Sequence, residues 1–399
     1  MTSSISLRPT PSGHRAGTEG GDIPFCKTVI TEDAQSAALD VLRSGWVTTG
    51  VESLAFEEEF AHWIGADDAV SVSSCTAALE ISIRLLDLPP ASRILTPTLT
   101  FCGAVQAIIR AGHYPVLVDL DDRTLGVSEE GVDAASSDGA DAMVVQHMAG
   151  YPLDVDSLAA AAHLPANRIV EDAAHGLGAS HDGVRLGSGS HAACFSFYAT
   201  KNLPIGEGGA LTTSDPALAE RARRMRLHGM SADAWKRYEQ SGNWRYTVEE
   251  AGTKANFTDL QAAIGRAQLR HLDDWQRRRA EVVQLYDAQL AGLDGIILPP
   301  RPVNGGHAWH LYVIRLTAGF GVSRDDVIKE LARQGIGSSV HFIPVHHFPY
   351  FRNLLGAGRT EMKVADSVFP ELLSLPLYPH LSDSDVDRVC QAIAAAGKR

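Results

Sequence analysis

Apolar and polar positions along this chain change period repeatedly. Near the N-terminus, "TEDAQSAALDVLRSG" (31–45) and "SLAFEEEFAHWIG" (53–65) carry helical spacing. The first has Thr31 as a cap, acids in its first turn and a stop at Gly45; the second stops at Gly65. Strand-like and helix-like runs then alternate. "AVSVSS", "RILTP", "YPVLVDLD", "DAMVVQHM", "RIVED" and "HAACFSFYA" read as strands. "CTAALEISIRLL", "CGAVQAIIRAG" and "VDSLAAAAH" read as helices between them. Such alternation predicts an α/β fold with a mostly parallel sheet covered on both faces. In that architecture, ligands sit beyond the C-terminal ends of the strands. A long helical pattern follows from about Thr258 to Leu293, charged in its middle ("DDWQRRRAE"). Beyond it come strand-like "HLYVIRL", helix-like "RDDVIKELARQG", strand-like "SSVHFI" and a last helix in "SDVDRVCQAIAAAG". The expected organisation is a loose Ser/Pro/Gly-rich tail (1–22) and a large domain (23–265). A connecting helix with a smaller C-terminal α+β domain (266–399) completes it.

Composition narrows the partners. Lys and Arg total 35 against 48 Asp and Glu, a net charge of −13. That argues against coating nucleic acid. It leaves room for an anionic small ligand, which needs only local amides and a cation or two. The cysteines are Cys26, Cys75, Cys102, Cys194 and Cys390, an odd count without a CxxC pair. Reduced thiols in the cytoplasm fit this best. With no apolar leader and no apolar run long enough for a bilayer, the expectation is a soluble cytoplasmic protein without a membrane partner.

Four stretches hold candidate chemistry. In "SVSSCTAAL" (71–79) a strand ends in small residues, and a helix opens with Ser74, Cys75 and Thr76. Its free amides and dipole suit phosphate, although a plain helix cap is the simpler reading of that motif alone. Phe101 in "TPTLTFCGA" stands at a helix start, where its ring could stack on a flat ligand or join the core. In "IVEDAAHGLGA" (169–179), Glu171 and Asp172 end an apolar strand, and a buried carboxylate there needs a partner such as a pyridinium nitrogen. His175 follows three residues later, one turn on if a helix begins there. In "FSFYATKNLPIGEGG" (195–209), Lys201 lies between a strand and a glycine cluster, with Ser196 five residues earlier. A lysine amine can form a Schiff base with an aldehyde, and an aspartate can keep a ring nitrogen protonated. Together these are the parts of a pyridoxal phosphate site.

The ordered series "SCTAAL", "TPTLTF", "VEDAAHGLGA", "FSFYATKNLPIGEGGAL", "GTKANFTDLQAAIGRAQL", "HAWHLYVIRL", "GIGSSVHFIPVH" and "LPLYPHLSDSDVDRV" resembles the DegT/StrS-type sugar-nucleotide aminotransferases from about Ile23 onward. The resemblance implies a fold-type I pyridoxal phosphate enzyme. Lys201 would be the Schiff-base lysine and proton shuttle, and Asp172 would pair with the pyridine nitrogen. His175 would lie near the ring oxygen, and Phe101 would stack on the ring. Ser74, Cys75, Thr76 and Ser196 would hold the phosphate. A family branch with histidine at the Lys201 position removes a hydroxyl; the lysine speaks for transamination. "GTKAN" (252–256) looks like the subgroup that aminates C4 of nucleotide-linked 4-keto sugars, such as UDP-4-amino-4-deoxy-L-arabinose aminotransferase. The family implies a homodimer in which Lys254 and Asn256 reach the neighbouring subunit's site and meet phosphate, Lys254 that of the substrate and Asn256 that of the cofactor. Trp46, Thr48 and His341 would lie near the sugar. L-Glutamate would be the amino donor, with pyridoxamine phosphate as the intermediate cofactor form. A C3-keto-sugar or cyclitol aminotransferase is the nearest rival, and a non-catalytic cofactor- or sugar-binding regulator a more distant one. No metal is expected: His341, His346 and His347 cluster in sequence without a carboxylate or cysteine at familiar spacing.

Overall fold

The computed structural model describes residues 21–231, 245–355 and 361–397, so all but the last two residues of the expected N-terminal tail lie outside it. Among the described residues, strands β1 (Asp68–Val72), β2 (Arg93–Pro97), β3 (Tyr114–Val118), β4 (Ala142–Gln146) and β5 (Ile169–Asp172) come first in chain order. The short strands β6 (Ser180–His181) and β7 (Val184–Arg185) follow, then β8 (Ala193–Ser196) and β9 (Gly209–Thr213). Next come β10 (Ile296–Ile297), β11 (Gly305–Gly306), β12 (Tyr312–Leu316) and β13 (Leu372–Leu375). The central sheet has seven strands in the order β1-β9-β8-β5-β4-β2-β3, with β9 antiparallel to both neighbours. The pairs β2–β3, β2–β4, β4–β5 and β5–β8 are all parallel. This is the α/β architecture of fold-type I enzymes, in which parallel strands are buried on both faces. The fully buried runs of β4, β5 and β8 show it.

The helices are α1 (Glu32–Ser44), α2 (Val51–Ile64), α3 (Cys75–Arg84), α4 (Cys102–Arg110), α5 (Glu129–Ser136) and α6 (Val155–Ala161). They continue with α7 (Pro216–Met225), α8 (Asp259–Leu269), α9 (Leu272–Leu290), α10 (Arg324–Arg333), α11 (Pro349–Leu355), α12 (Lys363–Val368) and α13 (Asp383–Ala396). Their ends follow the expected chemistry. Thr31 caps α1 by accepting from Ala34 N–H, and Gly45 and Gly65 close α1 and α2 in the left-handed conformation.

Two expectations are corrected. The single long helix over Thr258–Leu293 is two helices, broken at Arg270 and His271. α8 packs on α1 and α2, whereas α9 packs on α13; beyond Leu272, which still joins the core of α8, the buried residues of α9 serve a different core. "SSVHFI" is not a ladder strand. Ser339 exchanges two backbone bonds with Ser374 (3.1 and 2.8 Å), and the chain then leaves the sheet with His341 Nδ1 held by Ser374 Oγ at 2.9 Å. A second core unites α9, α10 and α13 with β12 and β13, and Ile23 joins it through its pairing with Ile336. Among the described residues no helix is long and apolar enough to cross a membrane.

Candidate active site

At the C-terminal ends of β4, β5 and β8, the sheet opens into a cavity of about 530 Å³. Lys201, Asp172, His175, Ser196, Phe101 and the Ser74–Thr76 segment all line it. Parallel pairing puts Asp172 beside Gln146 on one side and Cys194 on the other, so strand register sets the floor. The two adjacent acids separate by strand alternation. Glu171 accepts from Ser190 Oγ and contacts His147 Nε2 at 2.9 Å. Because Leu153 N–H donates to His147 Nδ1 (3.2 Å), the proton lies on Nε2 and donates to Glu171, which is thereby satisfied. Asp172 is 4% exposed and receives one backbone bond, from Ala174 N–H at 3.1 Å, with the Cys75 thiol at 3.8 Å. Burial pushes its carboxyl above the usual range, so it still wants a cationic partner.

Ser74 caps α3 by accepting from Ala77 N–H (3.1 Å), at the helix mouth facing the cavity. β9 closes in behind it: a Cβ on Gly209 would lie 2.5 Å from Cys75 N and from Ser74 C. Only glycine lets the strand pass this close, and the cradle so formed leaves first-turn amides for an anion. Phe101 is 59% exposed, at the N-cap position of α4 on the cavity rim.

Lys201 follows the bend after β8, its backbone N–H donating to Tyr198 O at 2.9 Å. Burial lowers its amine from 10.5 to about 8, against the opposing pull of Asp172. Nζ is 3.4 Å from His310 Nε2. The tautomer of His310 follows from its neighbours. Asn202 Nδ2 donates to Ala308 O (2.8 Å), Gln276 Oε1 (3.0 Å) and Leu177 O (3.3 Å), so Oδ1 is the atom facing His310 Nδ1 at 3.1 Å. His310 therefore carries its proton on Nδ1 and offers a lone pair to Lys201. His175 is the converse. Ala149 N–H donates to its Nδ1 at 3.3 Å, leaving Nε2–H as a donor. Burial and the Lys201 charge hold both imidazoles far below the usual histidine range, hence neutral. His175 sits in a turn after β5, not on the helix that its spacing allowed. His341 also lines the cavity, stacked on Phe25 at 5.5 Å, and burial lowers it to about 4.

The other expected site residues lie elsewhere. Trp46 and Asn256 line a separate cavity of about 900 Å³ bounded by α1, α2, α7 and α8. Asn256 Nδ2 donates to Thr49 Oγ1 (2.8 Å), and its Oδ1 accepts from Lys254. Thr48 is exposed, and its carbonyl accepts from Asp259 N–H at 3.0 Å. None of Trp46, Thr48, Lys254 and Asn256 lines the Lys201 cavity of the same chain. The histidine cluster also divides. His346 and His347 turn away from His341 and meet Asp366, a carboxylate that sequence spacing did not offer.

Sequence reasoning missed His310, Asn202, Gln146 and Cys26. Gln146 was within reach, as the last residue of a parallel strand like Asp172. Its Oε1 is buried without a hydrogen-bond partner among the described residues. The fit to a phosphorylated pyridine aldehyde is close. The cavity offers an amine, an acid short of a cation, a donor on His175, an unpaired acceptor and an anion cradle.

Comparisons with known proteins agree. Residues 28–394 match the family described as the DegT/DnrJ/EryC1/StrS aminotransferase family. SpsC, a spore coat polysaccharide biosynthesis protein of Bacillus subtilis (strain 168), is 41% identical over 373 residues, 93% of this chain and 96% of SpsC. Spr1654 from Streptococcus pneumoniae, solved in a PMP form, is 30% identical with a TM-score of 0.87, covering 94% of this chain and 99% of that one. Its PLP form gives a TM-score of 0.86 at 29% identity over the same shares of the two chains. CalS13 from Micromonospora echinospora, a sugar aminotransferase, is 28% identical with a TM-score of 0.83, over 94% of this chain and 99% of that one. A family match across nearly the whole chain, together with this arrangement of lysine, aspartate and anion cradle, means that the chain belongs to the DegT/DnrJ/EryC1/StrS family of sugar aminotransferases.

Proposed function

We propose that this protein transfers the amino group of L-glutamate to the C4 ketone of a nucleotide-linked 4-keto hexose, 6-deoxy or not, using pyridoxal phosphate in a cytoplasmic homodimer. The observation that carries the reading is Lys201, an amine lowered to about 8, set between the buried acid Asp172 and the lone pair of His310. The PLP and PMP forms of Spr1654 support the cofactor. Once bound, the cofactor supplies an electron sink for the carbon that loses its proton and carries nitrogen between the two substrates.

Every other role falls to residues of this chain. Asp172 would keep the pyridine nitrogen protonated, because a carboxylate buried here without a cation beside it is costly. His175, whose Nε2–H is free among the described residues, would donate to the ring oxygen. The α3 mouth and Ser196 would hold the phosphate, and Phe101 would cover one ring face. Lys201 would take the proton from the α-carbon of glutamate and pass it to the cofactor, and in the second half-reaction it would move a proton the other way, from the cofactor to C4 of the sugar. His310 Nε2 accepts a hydrogen bond from Nζ, which orients the amine between transfers. The name of SpsC favours a sugar destined for a surface polysaccharide over one for an antibiotic.

The test is the visible spectrum of the protein loaded with pyridoxal phosphate, before and after L-glutamate. Loss of the yellow band with release of 2-oxoglutarate is expected, followed by recovery with 4-keto but not 3-keto nucleotide sugars. Lys201→Ala should lose repeated turnover. A Lys201→Ala protein that cycles normally, or a yellow protein indifferent to glutamate, overturns the reading.

A further inference from the structure

Away from the Lys201 cavity, three ligating side chains converge. His346 and His347 belong to the short turn Val345–His347, and Asp366 belongs to α12. His346 Nε2 lies 2.9 Å and His347 Nε2 2.6 Å from the same atom, Asp366 Oδ1. The three ligand atoms all fall within 4.8 Å of one another. His346 is 3% exposed, whereas His347 and Asp366 are open to water, so the meeting point is walled on one side and accessible on the other.

This convergence is held from outside. His346 Nδ1 lies 2.6 Å from Thr98 Oγ1. Thr98 is fixed in turn, its carbonyl accepting from Val345 N–H at 2.7 Å. The start of α12 is pinned by Asp119, whose carboxylate accepts from Val364 N–H and Ala365 N–H at 2.9 Å each. A hydroxyl beside Nδ1 can accept as well as donate. His346 can therefore place its proton on Nδ1 and turn the Nε2 lone pair to the meeting point, the usual arrangement of a ligating histidine with an outer partner.

We propose that His346, His347 and Asp366 form a binding site for a divalent transition metal, with zinc the best match. Two imidazole nitrogens, one carboxylate oxygen and a place open to water make a four-coordinate nitrogen/oxygen set. Zinc bonds of about 2.0–2.2 Å place tetrahedral ligand atoms about 3.3–3.4 Å apart. Asp366 Oδ1 sits inside that spacing and has to withdraw by roughly half an ångström. Its side chain is 49% exposed and free to do so by rotation. With Thr98 Oγ1 beside its Nδ1, His346 can ligate through Nε2 after a shift of tautomer alone. The ion would tie the turn at 345–347 and α12 to the segment after β2, which leads within three residues to Phe101. None of the three ligands lines the Lys201 cavity, so the role is a clamp on the scaffold and not catalysis.

The experiment is calorimetric titration of zinc into chelator-treated, cofactor-loaded full-length protein, with thermal melts run alongside. One zinc per chain and a higher melting temperature are expected. His347→Ala and Asp366→Asn change half-exposed side chains and should fold normally. Each should weaken binding about 100-fold or more, because even outer partners carry about 10–100-fold. Thr98→Val should fall within that lower range. Absence of zinc binding overturns the proposal, and so does binding that both ligand substitutions leave intact, which would put the metal on thiols or histidines elsewhere. The aminotransferase reading stands in either case, since it is measured through glutamate and 2-oxoglutarate.

Discussion

At the scale of single residues, the site is governed by what burial does to Lys201. Its amine is lowered to about 8, with burial the largest cause. About a tenth is then unprotonated at pH 7, against well under a thousandth for an ordinary lysine. In cofactor-free protein, reductive methylation of Lys201 followed by mass spectrometry should show a midpoint near pH 8, while surface lysines respond above pH 10. The same shift sets the pH dependence of stability. Between about 8 and 10.5 the unfolded chain holds more of this proton than the folded one, so stability from this group rises with pH across that window. Below 8 the burial cost is fully present. Lys201→Met should therefore raise the melting temperature of cofactor-free protein at pH 7 and lose that advantage by pH 10.5. Lys201 and Asp172 stood out in sequence because Asp172 ends a strand and Lys201 follows one, each with chemistry unsuited to a core. His310 was not, because it reaches Lys201 from 109 residues away, and "HAWHLYVIRL" reads equally well as a strand beginning. Its role emerges only when the amide of Asn202 and the carbonyls around it are seen together.

At the scale of elements, the helix caps and strands of the main sheet follow local rules, whereas two departures depend on distant partners. The break at Arg270–His271 is invisible in a helical pattern that continues through it, since both halves keep an apolar face. What differs is the core each face meets. "SSVHFI" has strand composition, but Ser374 offers it pairing at Ser339 alone. Asp259, the first residue of α8, shows how such long-range ties work. The N-cap of α2 is Gly50, which has no side chain to cap with. Asp259 does this from another helix, accepting from Ser53 N–H (3.0 Å), Ser53 Oγ–H (2.8 Å) and Glu52 N–H (3.3 Å). A Cβ on Gly50 would lie 2.6 Å from Asp259 Oδ2, so the glycine makes the approach possible. Asp259→Ala strips buried donors of their acceptor and should cost about 2–3 kcal/mol. A lower urea midpoint with an unchanged slope would show it. Asp259→Asn, which keeps one acceptor oxygen, should lose less.

At the scale of the whole molecule, the two cavities pose one question. Trp46, Thr48, Lys254 and Asn256 are expected at the site, yet within one chain they stand apart from Lys201, two of them lining the other cavity. If they serve the reaction, they serve it in a second copy, and the proposed homodimer builds each site from both chains. Mixed dimers separate the possibilities. A Lys201→Ala chain has no proton shuttle, and a Lys254→Ala chain lacks a cation for the nucleotide phosphates; each homodimer should be poorly active on the keto sugar. With shared sites, a heterodimer of the two collects both lesions in one site and leaves the other intact. Co-expression with two affinity tags, followed by purification of the doubly tagged species, should then restore about half of wild-type turnover per dimer. Were each site built within a single chain, every site in the heterodimer would carry one lesion and activity would not return. Lys201→Ala alone should cycle at no measurable rate, so turnover above that of the Lys254→Ala homodimer belongs to a site whose Lys201 and Lys254 come from different chains.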